Sequence, residues 1–335
     1  MDEMMAANDI FSDRVIAAAG TDPLVVLDLG ARGAVDGDLL ALAPAVSIIG
    51  FEPDPEEAAR LAAQQKGPWR ELRILPFAIG RARGLATLHV PREPEGASLL
   101  PHNDAMIEQF GHEGLHRTIK KIPIEGLSLD DLESDAGVCS VDYLKIDIEG
   151  AELDVLEGGA KMLANAKVIK VECSFLEQRL GQPLAAEVIC WLAERGFDLI
   201  DIRAIHHWRR RPLPSHPYSI GFDFPYSRGR IAQADFFFLR RLSPDAPGRD
   251  VATATLILAA IGHIDLAMTV LRRCPSGESW WREHGVDIES ELKAASGALG
   301  RKELRAAIAA QIRGAVPLVK SWFGLLSFRA PEHRY

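Results

Sequence analysis

The sequence is short of cysteine and has no excess of basic charge, and each shortage excludes a class of protein. The four cysteines among 335 residues are scattered, without a C-x-x-C pair or a metal-binding spacing. The sequence therefore predicts neither a disulfide framework nor a zinc site, and it indicates a reducing, cytoplasmic location. The formal net charge of −9 provides no global basic field for phosphates, which argues against a nucleic-acid partner.

Long apolar runs are also missing. The first twenty residues begin with acidic side chains and lack a basic segment followed by an apolar core, so they do not resemble a signal peptide. The nearest candidate for a membrane span, residues 316–328, is too short and contains Lys320. We expect it to form a helix that packs on its own domain rather than on a membrane surface or a partner.

Strands and helices alternate through most of the chain. This alternation predicts an α/β fold, with a doubly wound, mostly parallel sheet and helices on both faces. Strands are expected near residues 24–29, 46–51, 72–79, 85–90, 118–124, 142–148, 167–173, 197–203 and 234–240, and helices near 55–65, 150–164 and 184–195. The predicted organisation is a leading helix over 1–20, a main domain over 21–242 and an α-helical extension over 250–335.

Two long connections interrupt the alternation. Residues 91–117 and 204–233 are rich in proline, glycine and histidine. Because long connections inside a compact domain are usually functional, we expect both to shape the substrate pocket.

Two strand ends carry the pattern of a cofactor site. The apolar run Leu24 to Leu29 contains Asp28 near its end and opens into a turn with Gly30, Ala31 and Gly33. The next strand ends at Glu52, followed by Pro53, 24 residues beyond Asp28. That distance allows one crossover and a return to the neighbouring parallel strand, where a carboxylate can accept hydrogen bonds from ribose hydroxyls. The two segments therefore predict a nucleoside-cofactor site.

The turn favours S-adenosylmethionine over a dinucleotide. A pyrophosphate needs the G-x-G-x-x-G spacing, and the run G-A-R-G-A-V-D-G does not have it. Asp28 would also repel a phosphate, whereas the methyl donor has no phosphate and carries an ammonium and a sulfonium group. A nicotinamide-dependent oxidoreductase is the alternative enzyme.

Acidic residues follow two later strands. In the segment VDYLKIDIEG, strand alternation places Lys145, Asp147 and Glu149 on one face, and the strand VIKVECSF brings Glu172 to the same edge. These three acids are the predicted catalytic residues, one of them acting as a general base. Alternatively they orient the substrate, bind a divalent ion, or cap the following helix. Lys145 is interpreted as neutralising the cluster, and nothing in the pattern singles out a metal.

With these segments in order, the chain resembles the FkbM-type methyltransferases, a branch of the S-adenosylmethionine-dependent class I fold. The resemblance covers about residues 24–240 and rests on LDLGARG, GFEPDP, PFAIG, the Ser98 loop, LSLDDL, YLKIDIEGAELDVLEGG, VIKVECSF and ADFFFLR. Many members carry Gly-Ala-Asn at the turn where this chain has Arg32. The cofactor-binding residues expected from the motifs and the resemblance together are Asp28, Gly30, Ala31, Gly33, Glu52, Pro53, Phe77 and Ala78.

The resemblance implies methyl transfer, usually to oxygen, on small metabolites or glycan sugars. It places Glu52 on the ribose, Phe77 and Ala78 near the adenine, and Asp147 and Glu149 facing the methyl group and acceptor. Further candidate bases are the loop histidines His102, His112, His116, His206 and His207. The third interpretation is a non-catalytic binding protein whose C-terminal helices recruit a partner. Those helices, with Trp280, Trp281 and Trp322, also offer a homo-oligomer interface.

Overall fold

The fold is organised by one seven-stranded sheet. The computed structural model describes residues 10–64, 67–209 and 228–327, with side chains as far as residue 312. The strands of this sheet are β1 (Leu24–Leu29), β2 (Val46–Phe51), β3 (Glu71–Leu75), β7 (Tyr143–Ile146), β8 (Val168–Ser174), β9 (Phe197–Trp208) and β10 (Arg230–Arg240). Their spatial order is β3-β2-β1-β7-β8-β10-β9. The first five are parallel, and β10 runs antiparallel to both of its neighbours.

A smaller three-stranded sheet lies beside the main one. It consists of β4 (Ala78–Gly80), β5 (Gly84–Pro91) and β6 (Thr118–Ser128), in the order β4-β6-β5. The sequence predicted one strand over 72–79, but the structure divides it between the two sheets. Pro76 lies at the division, where a residue without an N–H group cannot continue a ladder of hydrogen bonds.

Helices fill the connections. They are α1 (Asp13–Ala19), α2 (Pro55–Ala62), α3 (Asp104–Phe110), α4 (Glu113–His116), α5 (Leu132–Ala136), α6 (Glu152–Glu157), α7 (Ala160–Leu163), α8 (Ala185–Glu194), α9 (Gly248–Ala260), α10 (Ile264–Arg273), α11 (Pro275–Glu283) and α12 (Ile288–Ser327). The helix predicted over 150–164 is divided at Gly158, where a Cβ atom would lie 2.6 Å from the carbonyl oxygen of Arg81. In the predicted α-helical extension, Gly262 lies between α9 and α10 and has a φ of +94°.

The sheet is covered on both faces, as the alternation of strands and helices predicted. Alternate strand residues separate into two cores: Val26 and Ile48 belong to one, whereas Leu27 and Ile49 belong to the other. The first core includes α1, α9, α10, α11 and the start of α12, and the second includes residues of α5 to α8. The doubly wound, mostly parallel architecture is therefore confirmed.

The C-terminal helices contribute to the first core rather than standing apart from the sheet. Trp281 is fully buried there, and Trp280 is half-buried and stacks on His284. The side chain of Trp322 and the rest of the segment 316–328 lie outside the described side chains, as do residues 1–9 and 210–227. Within the described ranges, no helix is both long and apolar enough to cross a membrane.

Candidate active site

The turn after β1 is shaped by a glycine that no other residue could replace. Gly30 has a φ of +86°, and a Cβ atom there would lie 1.8 Å from the carbonyl oxygen of Asp147. The amides of Gly30 and Ala31 both donate to the carbonyl oxygen of Phe51, at 3.1 Å. These contacts hold the turn against the ends of β2 and β7. Gly33 also has a positive φ, +83°, but its surroundings are open.

Asp28 lies beneath this turn and organises it. The carboxylate is fully buried, its Oδ2 accepts a hydrogen bond from the amide of Asp36 at 2.7 Å, and its Oδ1 lies 3.2 Å from Lys145 Nζ. The ion pair follows from the sheet register, because Asp28 and Lys145 are direct neighbours on parallel strands. Burial raises the pKa of Asp28, and the Lys145 charge opposes that rise.

Two lysines balance the acids at this edge. Lys145 Nζ lies 3.3 Å from Asp147 Oδ2 and donates to the carbonyl oxygen of Gly30 at 3.3 Å. Burial works against its charge, but the Asp28 and Asp147 carboxylates together raise the pKa of Lys145 above its ordinary value. The adjacent strand supplies Lys170, whose Nζ lies 2.7 Å from Asp36 Oδ2. No motif in the sequence points to Lys170, since only the fold brings the 36–38 turn over β8.

Glu52 stands at the end of β2, where the ribose-binding acid was predicted. The residue is 2% exposed, and its Oε1 accepts hydrogen bonds from the Asp54 amide at 2.8 Å and from Arg32 Nη2 at 3.2 Å. Burial raises the pKa of Glu52, whereas the Asp54 amide and Arg32 act to lower it. Among the described residues no donor reaches Oε2, so one oxygen of this carboxylate is left for a ligand.

A cavity opens between this turn, the end of β2 and β4. It has about 860 Å³ of empty space, part of it open to solvent. Its walls include seven of the predicted site residues: Gly30, Glu52, Pro53, Phe77, Ala78, Asp147 and Glu149. Four predicted residues, Asp28, Ala31, Gly33 and Glu172, are not among those that line it. The connection over residues 91–117, called the substrate loop below, contributes Glu95, Ala97, Ser98 and Leu99 to the walls.

The charges of the cavity suit S-adenosylmethionine. The charged lining residues are four acids and Arg32, and Arg32 is already paired with Glu52 and with Asp54 at 3.0 Å. An ammonium group, a sulfonium group and ribose hydroxyls match acidic walls and the vacant Oε2 of Glu52. The pyrophosphate of a nicotinamide dinucleotide would find no uncommitted cation among these lining residues.

The three acids predicted to be catalytic do converge. Carboxylate oxygens of Asp147, Glu149 and Glu172 lie within 4.8 Å of one another. Burial raises the pKa of Glu149, and burial together with the neighbouring carboxylates raises the pKa of Glu172 well above its ordinary value. Glu172 Oε1 accepts a hydrogen bond from Gln233 Nε2 at 2.6 Å. A cluster of this kind can receive or retain a proton.

The alternatives for this cluster are only partly supported. A divalent ion with oxygen ligands would suit the three carboxylates, but Arg179 pairs with Glu149 and Lys145 with Asp147, so the charge is already partly compensated. Helix capping does not explain Glu149, because α6 begins at Glu152 and no side chain caps it. Glu152 instead accepts a hydrogen bond from the Gly150 amide at 2.8 Å, and burial raises its pKa to about 7.

The candidate histidines lie around the substrate loop. His102 Nδ1 lies 2.9 Å from Thr118 Oγ1, and its Nε2 lies 3.2 Å from the carbonyl oxygen of Gly96. Burial and the Arg179 charge lower the pKa of both His102 and His116 to about 4. His112 and His116 pack against the ring of Trp208, and His206 and His207 are exposed on β9. None of the five is among the residues that line the cavity.

Two arginines matter at this site that motif reasoning did not place there. The sequence marked Arg32 only as a departure from the usual turn, and the structure shows it paired with Glu52. Arg179, 2% exposed, pairs with Glu149 from the connection after β8. Neither contact could be found from sequence, since each joins segments that are apart along the chain.

Comparisons with known proteins agree with these features. Residues 33–199 match the model of the methyltransferase FkbM domain. The chain is 32% identical over 170 residues to the 2-O-methyltransferase NoeI of Sinorhizobium fredii (strain NBRC 101917 / NGR234), a match that covers 49% of this chain and 69% of that protein.

Solved structures share only a loose similarity. The magnesium protoporphyrin IX methyltransferase ChlM of Synechocystis PCC 6803 is 9% identical with a TM-score of 0.34, over 71% of this chain and 80% of that one. A putative RNA methyltransferase of Pyrococcus horikoshii is 14% identical with a TM-score of 0.31, over 71% and 85%. Similarity at this level carries no argument about substrate.

The family match and the identity to NoeI decide between the enzyme classes that the sequence left open, and the acidic cavity is consistent with them. The methyltransferase prediction is confirmed, and the oxidoreductase alternative has no support in them. The chain belongs to the FkbM family of methyltransferases and uses S-adenosylmethionine as its methyl donor.

Proposed function

We propose that this methyltransferase acts on a hydroxyl group of a sugar, either within a glycan or in a small metabolite. The observation that carries the proposal is the acid cluster of Asp147, Glu149 and Glu172 at the edge of the cofactor cavity. A hydroxyl needs a base when it is methylated, whereas a thiolate or an amine depends on one less. The name of the relative NoeI, a 2-O-methyltransferase, supports oxygen as the acceptor atom.

Different residues of the chain are assigned to cofactor binding and to positioning of the turn. When bound, the cofactor supplies a methyl group on a sulfonium centre and leaves as the neutral thioether S-adenosylhomocysteine. We assign Glu52 to the ribose through Oε2, and Phe77 and Ala78 to the adenine, because all three line the cavity. Asp28 does not line it and is assigned a positioning role, since it fixes the turn through the Asp36 amide.

Proton transfer is assigned to the acid cluster. Asp147 lines the cavity, and its side chain is 37% exposed, so it is the carboxylate best placed to take the proton of an acceptor hydroxyl. As the oxygen–methyl bond forms and the sulfur–methyl bond breaks, that proton passes to Asp147. Glu172, whose pKa is raised well above its ordinary value, can then share it within the cluster.

We also propose a cytoplasmic location and an oligomer formed through the C-terminal helices. All four cysteines are free, two of them buried and two exposed, which supports a reducing, cytoplasmic compartment. An oligomer interface on the C-terminal helices would have to use surfaces other than Trp281, since that side chain is buried in the core.

Calorimetric titration with S-adenosylmethionine and S-adenosylhomocysteine tests the cofactor site. We expect micromolar binding by the wild-type protein and a loss of at least about 1.4 kcal/mol, or tenfold, in Glu52→Ala. Glu56→Ala is the matched control, because Glu56 is a nearby exposed acid that does not line the cavity. Equal affinities in Glu52→Ala and wild type would contradict the assignment of Glu52.

The acceptor is tested separately with methyl-labelled S-adenosylmethionine and a panel of sugars, oligosaccharides and small alcohols. We expect label in an alkali-stable ether on a sugar, and a fall of at least about 100-fold in turnover for Asp147→Asn. Cofactor binding without turnover on any acceptor would favour the non-catalytic binding protein instead.

A further inference from the structure

One arginine contacts both the acid cluster and the substrate loop. Arg179 lies in the connection after β8 and is buried. Its Nη2 pairs with Glu149 Oε2 and also donates to the carbonyl oxygen of Gly96, at 3.4 Å. We propose that Arg179 is a positioning residue that holds the Glu149 carboxylate and the loop around Gly96 in one fixed relation. This inference rests on the proposed function in one respect, that the cavity between them binds the methyl donor.

The Glu149 side of the contact has a strained backbone. Glu149 has a φ of +65°, a left-handed conformation that is unfavourable for a residue with a side chain. Such a conformation persists when the surroundings determine it. The stem of Arg179 lies next to the following residue: a Cβ atom on Gly150 would lie 3.4 Å from Arg179 Cδ. The guanidinium also places an opposite charge next to the partly buried Glu149 carboxylate.

The loop side of the contact forms a wall of the cavity. Gly96 ends the short 3-10 helix Pro94–Gly96, and the neighbouring residues Glu95, Ala97 and Ser98 line the cavity. Its carbonyl oxygen also lies 3.2 Å from His102 Nε2. A Cβ atom on Gly96 would lie 3.7 Å from Arg179 Nη2, so the loop backbone rests almost directly on the guanidinium. Displacing Arg179 would therefore displace lining residues.

Backbone hydrogen bonds join the same two connections. The Leu180 amide donates to the carbonyl oxygen of Pro101 at 2.8 Å, and the Asn103 amide donates to that of Gln178 at 2.9 Å. His102 and Arg179 form an isolated antiparallel bridge between them. The substrate loop is thus held along the connection after β8, and the guanidinium of Arg179 extends this contact to the acid cluster.

A lysine could not make the same set of contacts. The guanidinium uses Nη2 for Glu149 and Gly96 and Nη1 for Gln178 Oε1, at 3.3 Å. A planar fork can hold acceptors on different sides at once, whereas an ammonium group is a single point of charge. Arg179→Lys should therefore keep the positive charge next to Glu149 but hold the Gly96 loop and the Gln178 side chain less firmly.

The test compares Arg179→Met and Arg179→Lys with the control Arg249→Met. Arg249 pairs with a buried acid, Asp142, which lies at the amino-terminal end of β7, whereas the acid cluster lies beyond its carboxyl end. Binding of S-adenosylhomocysteine is measured by calorimetry, and amide hydrogen exchange is followed by mass spectrometry. We expect Arg179→Met to lose about tenfold in affinity and to exchange faster over 94–103 and 147–151. Arg179→Lys should lose less, and Arg249→Met should change neither property.

A double-mutant cycle separates positioning from a general loss of stability. If Arg179 acts through Glu149, the variant Glu149→Gln with Arg179→Met should lose no more affinity than Arg179→Met alone. Additive losses, or Arg179 variants that match the wild type in affinity and exchange, would overturn the proposal. If Arg179→Met does not fold, the affinity and amide exchange of Arg179→Lys are used to test the proposal instead. If the wild type itself fails to bind S-adenosylhomocysteine, the proposed function fails. The amide exchange rates of wild type and Arg179→Met still test whether Arg179 holds the two segments in place.

Discussion

At the scale of single residues, the turn after β1 contains two glycines with a positive φ, and only one of them is sterically irreplaceable. Gly30 combines a positive φ with a clash that any Cβ atom would cause, whereas Gly33 has a positive φ and open space around it. The two glycines look alike in the sequence. The structure separates conformational strain from steric exclusion, and only Gly30 is subject to both.

This difference predicts unequal effects of alanine substitution. Gly33→Ala should lower the free energy of unfolding by about 1 kcal/mol, the cost of a left-handed alanine. Gly30→Ala should lower it by about 3 kcal/mol or more, because the Asp147 carbonyl oxygen must also move, and should abolish S-adenosylhomocysteine binding. Urea unfolding and calorimetry measure both quantities. Equal losses in the two variants would contradict the steric argument.

At the scale of secondary-structure elements, side chains from one element hold the loop of another. Glu57 in the first turn of α2 accepts a hydrogen bond from the Gly33 amide at 3.1 Å and pairs with Arg60 at 2.6 Å. The Arg60 hydrogen bond, followed by the Gly33 amide, lowers the pKa of Glu57 to about 2. The helix thereby anchors the turn after β1 through an ionised carboxylate.

Stability should therefore depend on the ionisation of Glu57. The pKa of Glu57 is lower in the folded chain than in the unfolded chain. Its contribution to the free energy of unfolding is therefore present above about pH 5 and is lost as the pH falls towards 2. Arg60 is half-exposed, so Glu57→Gln should cost no more than about 1 kcal/mol at pH 7.

The measurement is urea unfolding at several pH values, with Glu56→Gln as the exposed control. The difference between wild type and Glu57→Gln should shrink as the pH approaches 2. A difference that stays constant from pH 7 to pH 2 would show that the carboxylate charge is not the cause.

At the scale of the whole molecule, the C-terminal helices are divided in role. Leu256, Ile257 and Trp281 are buried in the core that they share with β1 and β2, and this packing continues to Ala295 in α12. Farther along α12, Leu304, Ile308 and Ile312 are exposed. The first part of the predicted extension therefore belongs to the fold that carries the site.

Truncation should show this division. A chain that ends after Gly300 should keep its melting temperature and its affinity for S-adenosylhomocysteine, because residues 301–312 are mostly exposed. A chain that ends after Pro247 should fail to fold cooperatively, since several large apolar side chains would be lost from the first core. Thermal melts followed by circular dichroism test both. Cooperative melting of the shorter chain would show that the helices are an independent unit.

The sequence alone determined most of the strands, their order of appearance and the strand ends that carry the acids, although it joined β3 and β4 into one strand. Hydrophobic alternation and glycine turns are local signals, so β1, β2 and β8 were predicted within a residue, as was the position of Glu52 at the end of β2. Three acids, Asp147, Glu149 and Glu172, were also expected at one edge, because parallel strands end together.

Only the tertiary structure decided which of these residues reach the cavity and which hold others in place. Asp28 was predicted as a cofactor ligand, yet the sheet register places it beside Lys145 and beneath the turn. Arg32 and Arg179 gave no sequence signal of their roles, because each pairs with an acid from another segment. The physical reason is that motifs report local backbone geometry, whereas charge pairing and burial depend on contacts between segments that only the folded chain brings together.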